Sequence, residues 1–198
     1  MNHILQFTSL KNRYFILRHG ESKSNVLRIL VSDPQNGIND FGLTDFGKQQ
    51  IKEVIENQNF LNDKTIIYAS DFLRTKETAE IARKVLDAAE IHLDPRLRER
   101  YFGDYEKMDY DYYKLVSAKD MTDAAQNDHR VESILEVQDR VTSVVADLEN
   151  LYQNQLILLV AHGDPLQFLE ASFFIHQPFN YANAIMLHKG ELREITLK

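Results

Sequence analysis

Three stretches of this chain are apolar without alternation and stop abruptly at polar residues. Residues 14–17 run into Arg18-His19-Gly20-Glu21, Ile66–Ala69 into Ser70-Asp71, and Leu156–Ala161 into His162-Gly163-Asp164. Short apolar runs of this kind predict strands buried on both faces. Residues 184–187 and 192–197 read as two further strands. Between them the apolar positions return at helical spacing. Leu43-Thr44-Asp45-Phe46-Gly47 introduces a helix to about Asn57, with Thr44 as its N-cap. A second helix spans 72–89, with Ile81, Val85 and Leu86 on one face. A third spans 131–152 and repeats Ile134, Val141, Val145, Leu148 and Tyr152. A fourth starts at Pro165, a residue suited to a first helical turn. The stretch 107–130 is polar and tyrosine-rich; it predicts one or two short helices over the sheet edge and a candidate lid. Alternating strands and helices, with no linker or repeat, predict one α/β domain over residues 1–198 with a largely parallel sheet.

Composition narrows the function. The chain has 198 residues, 43% of them apolar, a formal charge of -7 and no cysteine. The acidic balance (pI near 5.5) argues against a nucleic-acid partner. It also means that an anion site must be built locally, from a few converging cations. Thiol catalysis, cysteine-held zinc and disulfides are excluded. The first eleven residues lack the basic-then-apolar pattern of a signal peptide. The longest apolar runs fall far short of the roughly 20 residues that a membrane span needs. The expectation is a soluble, cytoplasmic protein with no membrane partner; its oligomeric state is open.

Parallel strands bring their carboxyl ends to one edge, where α/β proteins bind ligands. Arg18, His19, Arg74 and His162 therefore collect together. Arginine binds phosphoryl oxygens bidentately and stays charged. A neutral imidazole is a nucleophile when its other nitrogen has an acceptor to fix the tautomer. Gly20 and Gly163 would let the backbone approach the ligand. This set suits phosphoryl transfer and requires neither metal nor cofactor.

The ordered motifs resemble those of the histidine phosphatase superfamily, which includes the cofactor-dependent phosphoglycerate mutases. Arg18-His19-Gly20-Glu21-Ser22 with Asn25 is similar to its first signature, and Gly42-Leu43-Thr44 with Gly47 and Gln50 to the segment before its first helix. Ser70-Asp71-Phe72-Leu73-Arg74-Thr75 with Glu77-Thr78 follows. Leu97-Arg98-Glu99-Arg100 with Phe102-Gly103 and Glu106, then Glu132-Ser133 with Val137 and Arg140, and Ala161-His162-Gly163 complete the order. The resemblance implies a three-layer α/β/α fold, phosphoglycerate mutase-like. It implies that His19 becomes a phosphohistidine and that Arg18, Arg74 and His162 bind the phosphoryl oxygens, with Asn25 adding a hydrogen bond. Glu99 would protonate the leaving group and then activate water. Ser22 and Arg100 are candidates for touching substrate, as is Lys107.

Each residue also has a plainer reading. Asp71 suits a helix N-cap, Arg74 could pair with Glu77, Glu99 could be an exposed ion-pair partner, and Glu21 reads as a structural or rim group. His3, His92, His129, His176 and His188 read as surface or structural histidines, and Tyr110, Tyr112 and Tyr113 as lid packing. Several features depart from the mutase branch. Ser24 stands where mutases usually carry tryptophan, and 107–130 is short and lacks an Arg-Arg pair. Asp164 and Lys107 occupy positions where relatives differ, Lys107 often being glycine. The expected activity is a metal-independent phosphatase acting on a small phosphomonoester rather than on a phosphoprotein. A phosphoglycerate mutase and a non-catalytic phospho-ligand binder are the alternatives.

Overall fold

Strands and helices alternate as the polarity pattern requires. In the computed structural model, which describes residues 1–176 and 180–198, the order is β1 (Arg13–Arg18), α1 (Lys23–Leu27), α2 (Pro34–Gly37), α3 (Asp45–Glu56), β2 (Ile66–Ala69), α4 (Leu73–Leu86), β3 (Ile91–Leu93), α5 (Asp111–Asp120), α6 (Ile134–Leu151), β4 (Leu156–Ala161), α7 (Gly163–Ser172) and β5 (Leu192–Ile195), joined by loops and 3₁₀ turns. The sheet runs β3-β2-β4-β1-β5. The first four strands are parallel and β5 is antiparallel to β1.

Side-chain alternation along the buried strands builds two cores. Tyr14, Ile16, Ile157, Leu159 and Ala161 point to the face covered by α6 and α7, against Val141, Val145, Leu166 and Leu169. Phe15, Leu17, Ile67, Ala69, Leu158 and Val160 point to the other face, against Ile51 and Ile55 of α3 and Ala79 and Ala82 of α4. This is the three-layer α/β/α arrangement.

Helix starts follow local chemistry. The Thr44 side chain accepts a hydrogen bond from the Gly47 N–H at 3.0 Å, as an N-cap should. Ser133 and Glu136 form a reciprocal capping box on α6. Other expectations need correction. Residues 184–187 are not a strand: Ala184 closes a 3₁₀ turn, and the Leu187 carbonyl accepts from Arg18 Nη1 at 2.6 Å. The last strand ends at Ile195, and α7 begins two residues before Pro165. The short elements α1, α2 and β3 carry too few residues for a readable period. Stretch 107–130 holds α5 and a 3₁₀ turn at Asp128–Arg130. Val116 and Tyr113 of α5 pack with Leu30, Phe102 and Val131 above the sheet edge.

Glu149 of α6 is fully buried and ties that helix to the start of β1. It accepts hydrogen bonds from the Lys11 N–H at 2.7 Å, Asn12 Nδ2 at 2.8 Å and Tyr14 Oη at 2.9 Å. Glu149→Ala removes the acceptor of all three, leaving Asn12 Nδ2 the Tyr152 carbonyl at 3.0 Å and Tyr14 Oη only a long contact to the Val145 carbonyl. It should lower the unfolding free energy by about 3 kcal/mol, measured by urea titration.

Candidate active site

Strand register assembles the site. Arg18 is paired with Ala161 and Ala69 with Val160. The residues immediately after these strand ends, His19, His162 and Ser70, must therefore lie side by side. The two imidazole centres are 5.3 Å apart. Arg74 arrives from the first turn of α4, whose start is set by Ser70-Asp71-Phe72.

Hydrogen bonds fix the protons. His19 Nδ1 donates to the Gly20 carbonyl at 2.7 Å, leaving Nε2 with its lone pair. Arg74 Nε donates to both His19 Nε2 (3.2 Å) and His162 Nδ1 (3.1 Å). His162 must then carry its proton on Nε2, which donates to Ser70 Oγ at 2.9 Å. Burial, aided by Arg74, pushes both imidazoles well below the usual histidine range. His19 is thus neutral at physiological pH, with the Nε2 lone pair facing Arg74.

The cations are held by carbonyls, which leaves their other nitrogens available. Arg74 Nη2 donates to the Val31 carbonyl at 3.0 Å, and Arg18 Nη1 to that of Leu187. Arg74 Nη1 and Arg18 Nε are buried and, among the described residues, have no hydrogen-bond partner. Unpaired buried donors cost about 1–3 kcal/mol each, a cost that an anionic ligand would remove. Burial lowers Arg74 to about 10, so it remains charged at neutral pH.

These groups line a cavity of about 40 Å³ together with Ser24, Asn25, Glu99, Tyr110, Tyr113 and Asp164. That is room for roughly three or four water-sized positions. Asn25 Oδ1 accepts from the Ser22 N–H and Oγ, so its amide nitrogen is the group left for a ligand.

Glu99 sits where a loop after β3 meets the cavity. Its Oε2 is 3.9 Å from His162 Nδ1, and its side chain is 15% exposed. Burial, reinforced by the Asp164 carboxylate, raises its pKa to about 7 against the pull of Arg74 and Arg18. Arg140 clamps the loop, donating to the carbonyls of Arg96 (2.6 Å), Arg98 (2.8 Å) and Glu99 (3.3 Å) while Glu132 neutralises it. This positioning role is invisible in the spacing of Arg140, which lies on a helix whose apolar stripe dominates the pattern.

Several expectations change. Ser22 is buried in hydrogen bonds to Ser24 and Asn25, and it supports the cavity wall rather than lining it. Arg100 is also buried, forked onto Asp120 at 2.6 and 2.8 Å and onto the Glu132 carbonyl at 2.6 Å; its donors are taken up there, and it is not among the residues that line the cavity. Asp71 pairs bidentately with Arg98 instead of capping α4. Glu77 accepts from the Leu43 N–H, not from Arg74. A side chain on Gly20 would meet the Gly47 carbonyl at 2.5 Å; that glycine packs α3 against the strand end, whereas Gly163 lies against the Arg18 guanidinium. Lys107 adopts a left-handed φ of 61°, the conformation that favours glycine. Among the described residues, no cluster of three or more His, Asp or Glu is placed to hold a metal ion. No helix among them is long and apolar enough to cross a membrane.

Glu99 also sets a pH-dependent stability. Its pKa is raised on folding, so the folded chain binds the extra proton and stability falls as pH rises from 4.5 to about 7. Glu99→Gln, which mimics the protonated form, should be more stable than the wild type above pH 7 by up to about 3 kcal/mol. The difference should close below pH 4.5; urea titrations of both proteins across this range measure it.

Comparison with known proteins agrees with this geometry. The family model for the histidine phosphatase superfamily (branch 1) matches residues 14–198. The "Probable phosphoglycerate mutase GpmB" of Enterobacter sp. (strain 638) is 35% identical over 164 residues, covering 75% of this chain and 68% of the relative. Phosphoglycerate mutase-like protein 4 of Arabidopsis thaliana is 28% identical over 160 residues, covering 78% and 67%. Among solved structures, YhfR of Bacillus stearothermophilus superposes with a TM-score of 0.73 at 27% identity, over 92% of this chain and 90% of its own. A mycobacterial glucosyl-3-phosphoglycerate phosphatase gives a TM-score of 0.74 at 24% identity, over 92% and 88%, which shows a shared fold. With strand order, paired histidines and family model in agreement, the chain belongs to branch 1 of the histidine phosphatase superfamily.

Proposed function

We propose that this protein is a phosphatase that hydrolyses small phosphomonoesters through a phosphohistidine on His19. The observation that carries the reading is the donor set of the cavity. Arg18 Nε and Arg74 Nη1 are buried without partners beside the His19 nucleophile, with Glu99 near pKa 7 on the same wall.

The steps follow from these groups. The phosphoryl oxygens take hydrogen bonds from Arg18, Arg74 and the Asn25 amide. They draw the Arg74 guanidinium off His19 Nε2 and free its lone pair. His19 Nε2 attacks phosphorus in line as the ester P–O bond breaks. Glu99, protonated for part of the time at neutral pH, gives its proton to the leaving oxygen. The positive charge on the phosphorylated imidazole is held by the Gly20 carbonyl. A dianionic phosphoryl group also favours protonation of His162, which then donates to it from Nδ1. In the second half, Glu99 as carboxylate takes a proton from water. The water oxygen bonds to phosphorus, the P–Nε2 bond breaks, and phosphate leaves with neutral His19 restored. Protein cations supply the charge stabilisation throughout.

Asp164 favours hydrolysis over phosphoglycerate mutation. A mutase must rebind a carboxylate-bearing substrate, and here a buried carboxylate lines the same cavity. Like charges placed together in a low-dielectric site repel strongly. The relatives carry names of both kinds, and the site chemistry supports the phosphatase.

Labelled substrate should trap an acid-labile, base-stable phosphoenzyme that His19→Ala cannot form. Turnover should release phosphate without a bisphosphoglycerate primer and should persist in chelator. Primer-dependent isomerisation without net phosphate release would instead make the chain a mutase. Glu99→Gln should lower kcat on alkyl phosphates by about 10²–10⁴-fold. It should do far less on p-nitrophenyl phosphate, whose leaving phenolate needs no proton; steady-state kinetics on both substrates check this.

A further inference from the structure

Asp164 is a buried carboxyl group whose pKa burial raises and Arg100 opposes, and its hydrogen bonds leave one oxygen over. It lies in the first turn of α7, 3% exposed, on the cavity wall. Its Oδ1 accepts from Tyr113 Oη at 2.8 Å. Its Oδ2 is buried and, among the described residues, accepts no hydrogen bond. The nearest cation, Arg100 Nη1, is 3.6 Å away, beyond hydrogen-bond range. Arg100 does not need it: Asp120 already neutralises that guanidinium through two short bonds, and the Glu132 carbonyl takes its Nε. Nor does Asp164 cap the helix, since no backbone N–H is among its hydrogen-bond donors and His162 holds the N-cap position. A carboxyl oxygen kept in this way, on the wall of the cavity lined by Arg18, His19 and Arg74, is an acceptor awaiting a donor.

The phosphoryl group cannot be that donor's source, because its oxygens repel a carboxylate and belong with Arg18 and Arg74. The remaining part of the substrate is the alcohol that leaves. Glu99, on the same wall, meets its ester oxygen. Building on the phosphatase reading above, we infer that Asp164 selects the leaving group. It accepts a hydrogen bond from a hydroxyl of the alcohol and repels a carboxylate in that place, so the enzyme favours polyol phosphates over phosphorylated hydroxy acids. Tyr113 holds the carboxylate in position, and α5 thereby connects to specificity. Attraction of the right group and rejection of the wrong one come from one side chain.

A matched pair of substrates tests this. Glycerol 3-phosphate and 3-phosphoglycerate differ only in a CH₂OH against a carboxylate. The readout is the ratio of their kcat/KM values, measured as phosphate release, with p-nitrophenyl phosphate run alongside. The wild type should favour glycerol 3-phosphate by about tenfold or more. Asp164→Asn, which keeps the shape and removes the charge, should cut that ratio about tenfold, chiefly by raising activity on phosphoglycerate. A residue that only supported the fold would lower both values together and leave the ratio unchanged. A wild-type ratio near one overturns the inference without any variant, as does an Asp164→Asn ratio within twofold of the wild type. Cleavage of p-nitrophenyl phosphate with neither pair member cleaved also overturns it, while leaving the phosphatase reading intact. No phosphate release from any of the three by the wild type overturns both.

Discussion

Arg74 is a buried guanidinium held between two imidazoles, and the order of the site depends on it. Burial lowers its pKa to about 10, yet it stays charged at neutral pH. A buried cation is tolerated only where its neighbours are neutral or negative and accept its hydrogen bonds. One N–H, Nε, serves both His19 Nε2 and His162 Nδ1. Each imidazole must therefore present a lone pair to it, and each proton is forced to the far nitrogen. Gly20 and Ser70 are placed to receive those protons. One charge thus sets two tautomers, and His19 Nε2 is left with its lone pair, as the proposed phosphohistidine chemistry needs.

The same field also favours the deprotonated form of Glu99. Arg74 and Arg18 pull Glu99 toward ionisation, while burial and Asp164 oppose them and prevail, bringing its pKa to about 7. The role proposed for Glu99, giving a proton and then taking one back, is best served near that value. Geometry is held separately from charge. Arg140 reaches from α6 to the carbonyls of Arg96, Arg98 and Glu99 in one loop and fixes where Glu99 stands. The overall charge of -7 is irrelevant at this scale, because the site makes its own potential from a few buried groups.

Expectation and outcome differ in instructive places. Residues 184–187 are as apolar as a strand, yet their backbone serves Arg18 through Leu187. Ala184 and Leu187 are buried while Ile185 is exposed, so apolar character fixes neither the burial of each residue nor its hydrogen-bond partner. Arg100 adjoins Glu99 in sequence, but adjacent side chains in an extended segment diverge, and it turns to Asp120 instead. Asp71 had the right position for a cap, but Arg98, folded next to it from beyond β3, offers a stronger bidentate partner.

The sequence by itself determined the alternation of buried strands and amphipathic helices, the edge at which Arg18, His19, Arg74 and His162 meet, and the order of motifs that identifies the family. These are readable because periodicity and local spacing are properties of neighbours along the chain. Only the tertiary structure decided which arginine nitrogens are left unpaired, which tautomer each histidine adopts, how far Glu99 is displaced from an ordinary carboxylate, and that Asp164 lines the cavity beside an already neutralised Arg100. Those are pairings between residues distant in sequence. Their energies depend on distances and burial that no one-dimensional pattern encodes.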